Sequence, residues 1–159
     1  MNKMDARPIL ETLVGLVQKT GLEAILIGNA AAALQGAPVT TIDLDFLFRK
    51  TPRNIEKLTA VAKALEAVML RLYYPAWGLF RLSRDLDGLQ IDFMTKIDGV
   101  RSFEALRARS RCVELGGHTL WVAELAAVIA SKRAAGRPQD KAVLGILERV
   151  LHEAKARHR

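Results

Sequence analysis

Asp43 and Asp45 stand two residues apart in a stretch, Thr40 to Phe48, where Ile42, Leu44 and Phe46 alternate with Thr41, Asp43 and Asp45. Alternate residues of a strand point to one face, so this spacing brings two carboxylates together, close enough to share hard divalent cations. Like charges placed side by side repel. At least one carboxyl should therefore keep its proton above the usual range, unless a metal or a lysine neutralises it. A third acid, Asp92, lies in Gln90 to Met94 with Ile91 and Phe93 alternating about it. A strand there, placed beside the first, would complete a three-carboxylate cradle. Mg²⁺ (or Mn²⁺) suits such oxygen donors, and in phosphoryl or nucleotidyl transfer it bridges phosphates, neutralises charge and orients an attacking hydroxyl. Upstream, the apolar run Ala24 to Ile27 breaks at Gly28 and Asn29 before an alanine-rich segment. A strand-to-helix turn of this kind turns backbone N–H groups towards a phosphate.

These residues need a scaffold, and the chain's periodicities predict one. Ile9, Leu10, Leu13, Leu16 and Val17 recur at helical spacing over residues 8–19, and Gly21 ends the segment. Ala24 to Ile27 reads as a buried strand, residues 29–35 as a helix, and residues 40–48 as the strand that carries the two acids. Ile55, Leu58, Val61, Ala62, Leu65 and Met69 predict one long helix over residues 53–72. Residues 78–83 and 90–95 read as an antiparallel hairpin about the Asp87-Gly88 signal. A short helix over 102–109, a short strand over 112–115 before Gly116 and Gly117, and a helix over 122–134 follow. Gly136 and Pro138 suit a helix C-terminus and the start of the next helix, over 139–156. The expectation is an α/β chain, a small mixed sheet flanked by helices with a C-terminal helical pair. It reads as one domain, with a core over 22–115 and a helical part over 121–156.

Composition narrows the chemistry. With 159 residues, half of them hydrophobic, the chain can bury one sizeable core. Its formal net charge of +7 favours polyanions, with nucleic acid or a nucleoside triphosphate the ordinary candidates. Cys112 is the single cysteine, which excludes an internal disulfide framework and a thiol zinc cluster. His118, His152 and His158 lack ligand spacing, and no serine has a His and Asp arranged about it in the manner of a hydrolase. The charged N-terminal segment does not read as a signal peptide, and the apolar stretch over 121–130 falls short of the roughly 20 residues that a membrane span needs. A cytoplasmic protein without a membrane anchor is the expectation. Tyr73, Tyr74 and Trp77 could stack on a base, though beside Pro75 such residues more often fill a core edge.

The ordered motifs resemble the nucleotidyltransferase-fold superfamily, and within it small bacterial proteins related to abortive-infection toxin nucleotidyltransferases of the AbiEii type. The residues that carry the resemblance are Leu26 to Ala30, Leu34 to Asp45, and Ile91 to Phe93. They follow the family's order of a strand into a glycine turn, a short helix, Gly-x-Pro-Arg-x-Thr-x-Asp-x-Asp, and a later acid. The resemblance implies transfer of a nucleoside monophosphate from a triphosphate to an RNA or protein hydroxyl, in a toxin–antitoxin setting whose partners include an antitoxin or target protein. It implies Asp43, Asp45 and Asp92 as metal ligands and catalytic residues, with Asp92 helping to deprotonate the acceptor. Nucleotide contacts fall to Gly28, Asn29, Thr41 and Lys132, and Asp140 matches an acid of the same helical tail. Asn29 stands where the family has Gly or Ser, and Val39 where it commonly has Arg. The alternative is a degenerate member that binds nucleotide or nucleic acid without catalysis. Antibiotic modification is a third reading, disfavoured because a basic surface repels a cationic drug.

Overall fold

Apolar residues on the inner stripe of the first helix, α1 (Arg7–Thr20), bury Leu10, Leu13, Val14 and Val17 against a sheet that forms from the rest of the chain. The computed structural model describes residues 7–39, 43–72 and 78–157. After α1 come β1 (Ala24–Ile27), α2 (Gly28–Leu34), β2 (Leu44–Phe48), α3 (Pro52–Ala64), β3 (Val68–Leu72), β4 (Leu79–Arg84) and β5 (Leu89–Met94). Then follow α4 (Phe103–Arg107), β6 (Ser110–Leu115), β7 (His118–Ala123), α5 (Leu125–Ala135) and α6 (Pro138–Arg157). Seven strands form one mixed sheet in the order β3-β4-β5-β2-β1-β7-β6. Among the described residues, no helix is long and apolar enough to cross a membrane.

The inner strands are held in register by their aromatic face. Phe46 of β2 lies opposite Phe93 of the parallel β5, and their rings stack with centroids 5.0 Å apart. Phe48 meets Phe80 and Phe93 edge-on. Slipping β2 by one residue would turn these rings to the other face and bring the acids into the core, so burial of the rings specifies which residues pair on the opposite side.

Two expectations are corrected. The long helix over 53–72 stops at Ala64: Glu66 adopts a left-handed φ of 55° and the chain returns as the edge strand β3, antiparallel to β4. Leu65 and Met69 fit a helical stripe, but Val68 to Leu72 also fits a half-buried strand, and β4's open edge offers hydrogen bonds that a helix there would forgo. Likewise the helix expected from Val122 begins at Leu125, because residues 118–123 form β7. That strand folds back on β6 about Gly116 and Gly117, and pairs in parallel with β1. The strand expected over 40–48 is observed from Leu44; residues 40–42 lie outside the described residues, as do residues 73–77 with Tyr73, Tyr74 and Trp77. The Asp87-Gly88 hairpin and the left-handed Gly136 between α5 and α6 agree with expectation.

Asn54 locks the β1–β2 pair from below. It is buried, 1% exposed; its amide oxygen accepts from the Glu23 N–H, and its amide nitrogen donates to the Glu23 and Arg49 carbonyls at 3.0 and 2.7 Å. Glu23 precedes β1 and Arg49 follows β2, so one side chain ties the start of one strand to the end of the other. Asn54→Ala takes the acceptor from the Glu23 N–H and one of two donors from each carbonyl, which keep the Arg49 and Thr51 N–H groups. We expect a loss of about 2–3 kcal/mol in unfolding free energy, measured by urea denaturation.

Candidate active site

The β1–β2 and β2–β5 registers place the chemistry. Ile27, the last residue of β1, pairs with Asp45, and Asp45 pairs with Asp92 on the neighbouring parallel strand. The row continues to Arg81 of β4 and Leu70 of β3. Cross-strand partners share a face, so Asp45, Asp92 and Arg81 stand side by side on the face opposite the stacked rings. Gly28 turns the chain into α2 with φ +66°, a conformation that L side chains rarely adopt. A Cβ built on it would sit 3.6 Å from Asp45 Oδ2, which puts the Asp45 carboxylate directly against the turn. The backbone approaches an acid here, so an anion could be held beside it only with a cation between them.

Asp43 is exposed and stands immediately before β2 rather than within it. Its charge nonetheless reaches both Asp45 and Arg81. Asn29, second residue of α2, has a buried Oδ1 that accepts no hydrogen bond. Thr41 lies outside the described residues.

A second cluster faces Asp45 from the helical end. Asp140, 1% exposed, accepts from the Arg137 N–H at 3.2 Å and from its guanidinium at 2.7 and 3.2 Å. Lys132 Nζ lies 3.8 Å from the same carboxylate. Burial pushes the Asp140 carboxyl up, but the bonds and charge of Arg137, with Lys132 behind it, prevail and hold it below the usual range. Burial lowers Lys132, which Asp140 partly offsets. Both cations act on Asp45 through space. Gln35 fixes this end to α2: its amide donates to the Ala123 carbonyl at 2.8 Å and accepts from the Leu125 N–H at 3.0 Å, at the β7–α5 junction.

Asp45 carries the site's strain in charge. Burial, then Asp92 and Asp43, push its carboxyl up to about 6, against the pull of Lys132 and Arg137. The direction agrees with the expectation for the paired acids, but burial is the larger cause and Asp92 outweighs the paired Asp43. A cluster of hard oxygens with more negative charge than its neighbours can neutralise, next to an orphaned acceptor on Asn29, fits a divalent cation in donor chemistry. The assembly is incomplete, however. Among the described residues, no three carboxylate, histidine or cysteine side chains are gathered as a ligand set, and Asp92 is already gripped. Its grip comes from Arg81, whose Nε and Nη2 donate to Oδ1 and Oδ2 at 2.8 and 3.1 Å. Arg81 was not among the expected site residues: a two-residue Asp87-Gly88 turn would set Ser83 opposite Asp92, whereas the observed loop over residues 85–88 sets Arg81 there. Val39, where the resemblance leads one to expect arginine, is a partly buried apolar residue packed on the core.

The same architecture occurs in solved proteins. A Thermotoga maritima protein described as a nucleotidyltransferase matches with TM-score 0.65 over 92% of each chain, at 18% identity. The lincosamide antibiotic adenylyltransferase LnuA, lincomycin-bound, matches with TM-score 0.63 over 94% of this chain and 99% of its own, at 11% identity. ANT(2'')-Ia in complex with adenylyl-2''-tobramycin matches with TM-score 0.60 over 96% and 98%, at 14% identity. No protein-family model matches the chain, and no curated protein sequence does. The fold of this chain is the nucleotidyltransferase fold.

The raised Asp45 carboxyl makes a prediction about stability. A carboxyl whose folded value exceeds its unfolded value favours the folded state below the unfolded value, near 3.8, and loses that advantage as pH rises through about 6. Ionised Asp45 is thus a liability above pH 6 when no divalent ion is present. In chelator, Asp45→Asn should stabilise the protein by about 1–2 kcal/mol at pH 7.5, and the gain over wild type should shrink towards zero by pH 4. Denaturation curves of both proteins across that range measure it.

Proposed function

We propose that this chain, built on the nucleotidyltransferase fold, moves a nucleoside monophosphate from a nucleoside triphosphate to a hydroxyl of RNA or protein, with Mg²⁺ or Mn²⁺. The observation that carries this reading is the in-register pair Asp45 and Asp92 set against the Gly28 turn. Asp43, Asp45 and Asp92 would hold the metal, which when bound neutralises phosphate charge and polarises the reacting oxygens. The Gly28 turn and Asn29 would receive the triphosphate, with Thr41 beside them. Lys132 and Arg137, already acting electrostatically on Asp45, would draw an anion towards the acidic row. Asp92, at the row's centre, would accept the proton of the acceptor hydroxyl as its oxygen attacks the α-phosphorus and pyrophosphate leaves.

The net charge of +7 favours a polyanionic acceptor over a cationic drug. A cytoplasmic toxin–antitoxin component is the setting that the motif resemblance supports. The alternative, a non-catalytic nucleotide- or nucleic-acid-binding protein, draws on Val39 and on the Arg81 grip, both of which leave the acidic site short of a working set.

Calorimetric titration of each nucleoside triphosphate with and without Mg²⁺, followed by transfer assays on RNA and protein acceptors, tests the reading. Metal-dependent binding and transfer are expected, with transfer falling at least about 100-fold in Asp43→Asn and Asp45→Asn. No transfer by the wild type, with binding that persists unchanged in Asp43→Asn, establishes the non-catalytic alternative. Lys132→Ala should raise the KM for the triphosphate about tenfold while changing kcat less.

A further inference from the structure

Asp92 occupies a conflicted position. Its register neighbour on one side is another acid, Asp45, and on the other a guanidinium, Arg81. The fork is bidentate at 2.8 and 3.1 Å, and the pair is largely withdrawn from solvent, with side chains 30% and 14% exposed. Both carboxylate oxygens of Asp92 are therefore engaged, and Arg81 also feels the charges of Asp43 and Asp45. A planar guanidinium matches a carboxylate's two oxygens at once. A divalent ion wants those same oxygens and is repelled by the same positive charge.

We propose that Arg81 is a built-in counter-cation of the acidic site, a positioning residue that grips Asp92 in the metal-free protein and competes with the divalent ion for that carboxylate. The inference rests on the metal-dependent reading above. Asp92 stays paired when no ion is bound, and the ion must load against the charge of Arg81 and its two bonds to that carboxylate. Arg81 thus sets the affinity threshold for the ion. Its released guanidinium, on the same sheet face, is then available to an incoming phosphate. Val39 leaves the loop before β2 without a guanidinium, and the cation arrives instead from β4.

The test is a Mn²⁺ titration by calorimetry, with thermal unfolding in chelator and in Mn²⁺, on wild type, Arg81→Gln, Arg81→Lys, Asp92→Asn and the Arg81→Gln/Asp92→Asn double variant. Arg81→Gln should bind Mn²⁺ about tenfold more tightly than wild type. Its melting temperature should fall by about 2–4 °C in chelator, and saturating Mn²⁺ should abolish the difference. Arg81→Lys, which keeps the charge and loses the fork, should show the melting deficit with a smaller gain in affinity. In Asp92→Asn, further removal of Arg81 should change Mn²⁺ affinity much less than it does in wild type. Unchanged or weaker Mn²⁺ binding in Arg81→Gln, or a melting deficit that Mn²⁺ does not repair, overturns the inference and leaves a plain cross-strand ion pair. Those outcomes leave the proposed function standing, since wild type would still bind the ion. Failure of folded wild type and every variant to bind Mn²⁺, with or without nucleotide, would defeat the metal reading itself and the inference with it.

Discussion

Ionised Asp45 on an inner strand is the constraint about which the molecule is arranged. A carboxylate there has lost much of its hydration, and the register sets a second acid beside it and a third just before it. Charge in such a place must be answered by cations or by protonation. The chain answers from three directions. Arg81 reaches along the row from β4, Lys132 comes from the last turn of α5, and Arg137 comes from the turn between α5 and α6. Each of these cations belongs to an element with a structural reason to be where it is, so the electrostatics and the fold are set together.

The structural reasons are apolar. The rings of Phe46, Phe48, Phe80 and Phe93 pack on one face and pin β2, β5 and β4 to each other. The alternation of a strand then obliges Asp45, Asp92 and Arg81 to share the other face. Asn54 fixes where β1 begins and β2 ends, which brings Gly28 against Asp45. Gln35 transmits that placement to the helical pair, since its one amide bonds both α2's own backbone and the β7–α5 junction. An acid cluster that would otherwise push the strands apart is held by hydrogen bonds and packing made elsewhere.

The chain alone determined a good deal. The two-residue spacing of Asp43 and Asp45, the glycine turn after an apolar run, and the Asp87-Gly88 hairpin are local signals, and each needs only strand alternation or turn geometry to be read. The α/β class followed from these with the helical periodicities, the helical pair from Gly136 and Pro138, and the raised proton affinity of one acid from the spacing of the two. Tertiary structure decided what depends on pairing between distant segments. Val68 to Leu72 satisfies helix and strand periodicity alike, and only β4's open edge makes it a strand. The end of residues 118–123 merges into the apolar stretch that reads as a helix from Val122, and they become a strand by pairing with β1 and β6. The grip of Arg81 on Asp92, the gathering of Lys132 and the exposed Arg137 on buried Asp140, and the exposure of Asp43 just before β2 are consequences of register and burial. Periodicity assigns a residue to a face, but which charges meet across that face is fixed by the long-range packing that brings strands and helices together.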